Sequence, residues 1–219
     1  STFSTLPATG FTGQIRFGFG SDFVHYEHPF LTLGQAASKN LDFMLMIGDL
    51  AYMDMQPWVG NTVEGYTGRY WLTWNEPNFT ALGLTTPLFM MWDDHEIAND
   101  FWPGKLTPDV YPAARTAFDR YVGAHNPDTT GGVLYYSFSA PGADFFVLDT
   151  RSYRDPATDI DDVNKSMLGD VQRNALLDYL EASTAAFKFI VTSVPFSLGE
   201  DSSDTWSNYQ TERELILAE

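Results

Sequence analysis

The chain alternates short apolar runs with segments whose apolar residues recur at helical spacing. Apolar runs ended by Gly, Pro or acidic residues are typical of buried strands, and apolar residues three and four positions apart are typical of helices. Strands are predicted over residues 14–19, 41–47, 87–92, 134–139, 144–148 and 187–194. Helices are predicted over residues 30–39, 65–75, 113–121, 171–180 and 212–218. The alternation of strands with helices favours a layered α/β fold.

Composition narrows the class of protein. A length of 219 residues suits one sizeable domain, and 44% hydrophobic with 19% charged residues excludes wholesale disorder. The 29 acidic and 12 basic side chains give a net charge of −17, which excludes a role in coating nucleic acid. A single phosphorylated substrate remains compatible with this charge, because metal ions can reverse the local field.

Several sequence features bear on the protein's location. Cys is absent, which excludes disulfides and thiolate metal sites. No apolar run approaches the roughly 20 residues that a transmembrane helix needs. The chain begins with Ser rather than Met, which suggests a processed product. Glycosylation sequons at Asn78 and Asn164 favour a secreted glycoprotein.

Polar clusters follow the predicted strands where each strand ends. They cover residues 20–22, 48–54, 92–100 and 148–154. Ligands of open α/β sheets bind at the carboxyl ends of the strands, so these clusters are candidates for one site. Glycine-rich phosphate loops and the G-x-S-x-G nucleophile elbow are both absent from the sequence.

The acidic residues in these clusters support two interpretations. Asp49 follows a strand-end Gly, and such a carboxylate can bridge two cations, but an isolated Gly-Asp is more often a turn or a helix cap. The run Asp93-Asp94-His95-Glu96 places three carboxylates beside one imidazole. Adjacent carboxylates repel unless a cation or a proton neutralises them. This run therefore favours a metal site over a solvated acidic loop.

Arg151 and Arg154 follow another predicted strand in a chain with few basic residues. A guanidinium can bind two phosphate oxygens at once, so both are candidates for contact with substrate. For each arginine alone, a salt bridge to an acidic residue is an equally good interpretation.

Segments of the chain resemble the PhoD-like alkaline phosphatases of the calcineurin-like metallophosphoesterase superfamily. Five motifs occur in the family's order: GDLAYMD, MWDDHEIAND, YYSFSAPGADFFVLDTRSYR, MLGDVQRNALLDYL and FKFIVTSVPFS. The first motif also resembles that of the purple acid phosphatases. The resemblance implies a single metallophosphatase-like domain over residues 1–219, with two mixed β-sheets packed as a sandwich flanked by helices.

The resemblance also implies roles for individual residues. Asp49 would be a carboxylate bridging two metals, Tyr52 a phenolate ligand to iron, and Asp94 a metal ligand in the place of the superfamily's Asn. His95 would be the catalytic imidazole, and Arg151 would contact phosphate. Iron(III) and calcium are the ions expected in PhoD-like members, with Mn²⁺ and Zn²⁺ as alternatives.

Two features depart from the family pattern. Relatives usually carry a Cys iron ligand near position 20 or 21, and here Asp22 is expected to take that place as a metal ligand. The family's Gly-Asp-x-His segment, which carries further ligands, is not among these 219 residues. The expectation is therefore a fragment, an incomplete site, or a second chain that supplies the missing C-terminal ligands.

Three functions follow as hypotheses. The first is metal-dependent hydrolysis of small phosphate esters, either monoesters or diesters, by a metal-activated water. The second is a truncated, non-catalytic metal- or phosphate-binding protein. The third is an acidic structural or carbohydrate-associated protein, for which Asp49, Asp94 and Arg151 should lie far apart.

Overall fold

The computed structural model describes residues 5–7, 11, 13–55, 57–58, 60–105, 109–127, 132–197 and 204–219. Within these ranges the strands are β1 (Phe17–Gly20), β2 (Phe43–Ile47), β3 (Leu88–Met91), β4 (Tyr136–Ala140), β5 (Ala143–Val147) and β6 (Phe187–Val191). The α-helices are α1 (Leu31–Ala37), α2 (Val63–Trp74), α3 (Pro77–Thr85), α4 (Val110–Tyr121), α5 (Gly169–Ala182) and α6 (Gln210–Leu217). None of the helices in these ranges has both the length and the apolar character needed to cross a membrane.

The strands form two sheets of different topology. The first sheet has the order β1-β2-β3, and its described strands all run parallel. The second has the order β4-β5-β6, with β4 and β5 joined as an antiparallel hairpin and β6 parallel to β5. The turn of the hairpin contains Gly142 at φ 79°, as a tight turn between strands requires.

The two sheets pack face to face, and helices cover their outer faces. Phe43 and Leu45 of β2 lie in the core between the sheets, together with Phe145 of β5. The alternate residues Met44 and Met46 lie in a second core against helices of the first sheet's outer face. Both faces of β2 are therefore buried, which explains its continuous apolar sequence. This arrangement confirms the predicted sandwich flanked by helices.

Aromatic rings fill much of the space between the sheets. Phe43 and Phe145 meet edge to face at 5.4 Å between centroids, and Phe145 stacks on Phe138 at 4.7 Å. Phe89 of β3 stacks on Phe138 at 3.8 Å. These contacts join strands of both sheets, so the ring packing fixes how the sheets, and the loops at their ends, face each other.

The predicted strands and helices are all present, with ends that differ by a few residues. Helix α3 was not predicted, because Phe79 and Leu82 are its only buried apolar residues and Leu84 on the same helix is exposed. A local signal was present: Pro77 occupies the first turn, and the Glu76 side chain accepts a hydrogen bond from the Phe79 N–H at 2.8 Å.

Helix α6 is fastened to the rest of the fold by the buried carboxylate of Glu212. That carboxylate accepts hydrogen bonds from the Ser166 hydroxyl at 2.5 Å and the Met167 N–H at 2.6 Å. Arg173 of α5 approaches it at 3.3 Å. The Glu212 side chain thus links α6 to α5 and to the loop that precedes α5.

We expect Glu212→Ala to lower the free energy of unfolding by about 2–4 kcal/mol, because it leaves buried donors without an acceptor. Urea denaturation followed by tryptophan fluorescence measures the change. Glu214→Ala is the matched control, since Glu214 lies on the exposed side of the same helix. Equal effects of the two substitutions would show that the buried carboxylate does not hold α6.

Candidate metal centre

The carboxyl ends of five strands meet in one place. Asp22, Asp49 and Asp93 follow the parallel strands β1, β2 and β3. The second sheet reaches the same place from β6, because the Ser193 hydroxyl donates to Asp93 Oδ1 at 2.6 Å. From β5 the chain continues directly to Arg151, whose Nε donates to the same Asp93 oxygen at 2.5 Å.

Unusual backbone conformations place two of the carboxylates. Asp22 and Asp49 both lie in the left-handed region, at φ 65° and 52°. Gly48 lies at φ 95°, and a Cβ there would meet the Asp93 Cβ at 2.6 Å, so only glycine fits. Left-handed residues other than glycine each cost of order 1–3 kcal/mol and concentrate at functional sites.

Tyr52 joins the first two carboxylates. Its hydroxyl lies 2.9 Å from Asp22 Oδ1 and 3.0 Å from Asp49 Oδ2. A phenol has one proton to share between the two carboxylate oxygens. A cation among these three oxygen donors would neutralise the two carboxylates and fits this arrangement.

A second group of donors lies beside the first. Ligand atoms of Asp49, Asp94 and His95 lie within 4.8 Å of one another, close enough to hold one metal ion. The His95 ring stacks on Tyr52 with centroids 4.1 Å apart. His95 Nδ1 lies 2.8 Å from Asp54 Oδ1, a contact that orients the ring and leaves Nε2 for a metal or a substrate.

The electrostatics of this group favour a bound cation. Burial, and then the negative charges of Asp93 and Asp94, raise the pKa of Asp49 to about 7. Burial opposes the charged form of His95, but the hydrogen bond to Asp54 and the surrounding carboxylates outweigh it and raise the His95 pKa to about 9. A metal ion would restore the charged form of Asp49, so the residues present fit a metal centre.

Glu96 holds the two ligand-bearing loops together. It is fully buried and accepts hydrogen bonds from the Leu50 N–H and, at 2.8 Å, from the Asp93 N–H. Leu50 directly follows the candidate ligand Asp49, and Asp93 directly precedes the candidate ligand Asp94. The relative position of those ligands thus depends on a fully buried side chain that is not itself a candidate ligand.

Arg151 lies beside the candidate ligand Asp94 but is fully buried. Besides Asp93, it approaches Asp94 Oδ1 at 3.4 Å and forms two hydrogen bonds to Asp204. Burial opposes its charge, but the surrounding carboxylates raise the Arg151 pKa well above its usual value. Arg154 also contacts Asp204, at 2.6 Å.

The structure brings most of the predicted site residues together. The predicted ligands and the imidazole form one connected group: Asp22, Asp49, Tyr52, Asp94 and His95. Arg151 adjoins them through Asp93 and Asp94, which contradicts the third hypothesis of a structural protein with these residues far apart. The predicted contact of Arg151 and Arg154 with phosphate stays a prediction, because both arginines are here engaged by carboxylates.

Sequence reasoning missed two acidic residues. Asp54 belongs to the GDLAYMD motif, so its position five residues after Asp49 was a usable signal. Asp204 follows no predicted strand and lies 53 positions from Arg151 in the chain, so nothing local pointed to it.

Comparison with known proteins decides the family. The sequence model of the PhoD-like phosphatases matches residues 20–219. The chain belongs to the PhoD-like phosphatase family. It is 27% identical to alkaline phosphatase D of Bacillus subtilis (strain 168) over 259 residues, covering 97% of this chain and 44% of that protein. The PhoD-like resemblance seen in the sequence is thereby confirmed.

Solved structures agree with the family. A structure of PhoD superposes with a TM-score of 0.85 at 26% identity, covering 99% of this chain and 50% of that one. Purple acid phosphatase PPD1 from yellow lupin (Lupinus luteus) seeds superposes at 0.59 with 16% identity, covering 89% of this chain and 33% of that one, and shows the fold alone. The PhoD-like chain thus spans half or less of the length of each of these relatives.

We expect Asp49→Asn to weaken metal binding at least about tenfold, because Asp49 belongs to both donor groups. Metal content per chain is measured by elemental analysis after dialysis against limiting metal. Asp119→Asn is the control, since it removes the same charge from an exposed pair with Arg115. Unchanged metal content in Asp49→Asn would exclude the site.

Proposed function

We propose that this protein hydrolyses phosphate esters at a metal centre held by Asp22, Asp49, Tyr52 and Asp94. The observation that carries the proposal is that the carboxylates of Asp49 and Asp94 and the His95 imidazole place atoms within 4.8 Å of one another, which brings the catalytic imidazole beside two metal ligands. Membership of a phosphatase family supports hydrolysis of a phosphate ester as the reaction. The substrate we propose is a small phosphate ester, monoester or diester.

Iron(III) and calcium are the ions that we propose for the centre. Carboxylate and phenolate oxygens are hard ligands, which suit iron(III) and calcium, with Mn²⁺ or Zn²⁺ as alternatives. When bound, such ions supply positive charge that stabilises phosphoryl oxygens and lowers the pKa of water. The raised pKa of Asp49 supports the need for positive charge at this position.

His95 is the catalytic residue in this proposal. In hydrolysis a water molecule gives up a proton to solvent as its oxygen bonds to phosphorus, the ester P–O bond breaks, and the leaving alkoxide takes up a proton. Because Asp54 holds Nδ1 of His95, Nε2 of the protonated imidazole can donate that proton or a hydrogen bond to phosphate. Asp54, 2.8 Å from Nδ1, positions the ring and balances its charge.

A second candidate function is binding of metal or phosphate without turnover. It is favoured by the burial of Arg151, whose guanidinium is engaged by Asp93 and Asp204. If these residues bind metal or phosphate without turnover, the further metal ligands needed for hydrolysis would have to come from another segment. We propose the family's Gly-Asp-x-His segment, in the same or a second chain, as their source.

Two further proposals concern the protein's setting. The sequons at Asn78 and Asn164 support secretion as a glycoprotein, and Asn164 is exposed. The net charge of −17 argues against a nucleic-acid-coating role.

We expect His95→Ala and Asp49→Asn each to lower the rate of phosphate release from an aryl phosphate by at least about 100-fold, because they remove the proton donor and a metal ligand. The rate is measured with the purified chain, with and without chelator. Asp119→Asn should keep the wild-type rate. Turnover that survives both substitutions and the chelator would refute hydrolysis at this centre, and absence of turnover in the wild type would favour the binding function.

We expect Asp54→Asn to lower kcat by about 10- to 100-fold with little change in KM, because it disturbs the orientation and charge of His95 rather than substrate contacts. In the His95→Ala background the same substitution should cost no further activity. Additive losses in the double variant would show that Asp54 acts independently of His95.

A further inference from the structure

The two arginines after β5 hold a carboxylate in the manner in which arginines hold phosphate. Arg151 Nη1 donates to Asp204 Oδ1 at 2.8 Å, and Nη2 donates to Oδ2 at 2.6 Å. Arg154 Nη1 donates to the first of these oxygens at 2.6 Å. Two parallel hydrogen bonds from one guanidinium, with a second cation alongside, make a site that also suits two oxygens of a phosphate group.

Asp204 lies on the solvent side of this site. Its side chain is 22% exposed, whereas those of Arg151 and Arg154 are 0% and 4% exposed. Within the described residues, the Asp204 carboxylate is thus the most exposed of the three charged groups, and an anion that displaced it would meet both guanidinium groups.

The rest of Arg151 is anchored independently of Asp204. Its Nε donates to Asp93 Oδ1 at 2.5 Å, and the same oxygen accepts from Ser193 at 2.6 Å. If Asp204 withdrew, this anchor would hold the guanidinium in place with its Nη atoms turned towards the vacated position.

We propose that Asp204 is an internal competitor of the phosphate group, and that Arg151 and Arg154 form an oxyanion subsite that substrate occupies by displacing its carboxylate. The inference rests on the proposed function, since it assigns the subsite to the phosphate of that reaction. It explains how Arg151 contacts substrate although it is buried in this structure. Asp204 is a regulatory contact in this proposal and takes no part in bond making.

Binding of inorganic phosphate tests the proposal without requiring turnover. Isothermal titration of the purified chain should show phosphate binding at least about tenfold tighter in Asp204→Asn than in wild type, because the competing charge is gone while the arginines remain. Asp161→Asn is the matched control. It removes the same charge from a side chain that caps α6 through the Gln210 N–H at 2.7 Å and touches neither arginine, so its phosphate affinity should equal that of wild type.

Two further variants make the result decisive. Arg154→Met added to Asp204→Asn should remove most of the gain, which ties the gain to this subsite. If circular dichroism shows that Asp204→Asn does not fold, Asp204→Ser is used instead to test whether loss of this charge tightens phosphate binding. Phosphate affinity equal to or weaker than that of wild type would overturn the proposal, as would loss of fold in both Asp204 variants, which would make Asp204 a structural ion-pair partner.

The outcome is separable from that of the proposed function. A tighter phosphate affinity in Asp204→Asn without any turnover would support the subsite and count against hydrolysis by this chain. Turnover in wild type with unchanged phosphate affinity in Asp204→Asn would support hydrolysis and overturn the role of Asp204.

Discussion

One buried cation holds together the end of the molecule where the site lies. Arg151 follows a strand of the second sheet, Asp93 and Asp94 follow a strand of the first, and Asp204 precedes the last helix. The three carboxylates would repel one another at this distance without the guanidinium between them. Removing one partner from a buried ion pair commonly costs about 3–5 kcal/mol, so the Arg151–Asp93 contact constrains the two sheets together.

The need to neutralise neighbouring carboxylates divides the site into two halves. On one side, the Arg151 guanidinium lies against the carboxylates of Asp93, Asp94 and Asp204. On the other side, Asp49 shares the Tyr52 hydroxyl with Asp22, and its pKa is raised to about 7. Asp49 and Tyr52 lack an arginine contact among the described residues, so a metal ion held by them together with Asp94 has a physical reason to bind.

Local sequence accounts for most of the elements and for much of the site. β2 was predictable because both of its faces are buried and its sequence is continuously apolar, whereas α3 was not, because it buries only Phe79 and Leu82. Asp22, Asp49, Asp94 and His95 were predictable because each follows a strand end, where parallel strands bring polar residues to one edge. The roles given to them by family resemblance remain proposals.

The sequence by itself determined the α/β class, the places where strands end and the residue types gathered there, since these follow from periodicity and short-range turn chemistry. Only the tertiary structure decided which side chains pair. Asp54 reaches His95 across 41 positions, and Asp204 reaches Arg151 across 53. It also decided that Arg151 is buried beneath Asp204 rather than open to phosphate. Such pairings depend on how the two sheets pack, and no local pattern of residues encodes the distance between side chains that far apart in the chain.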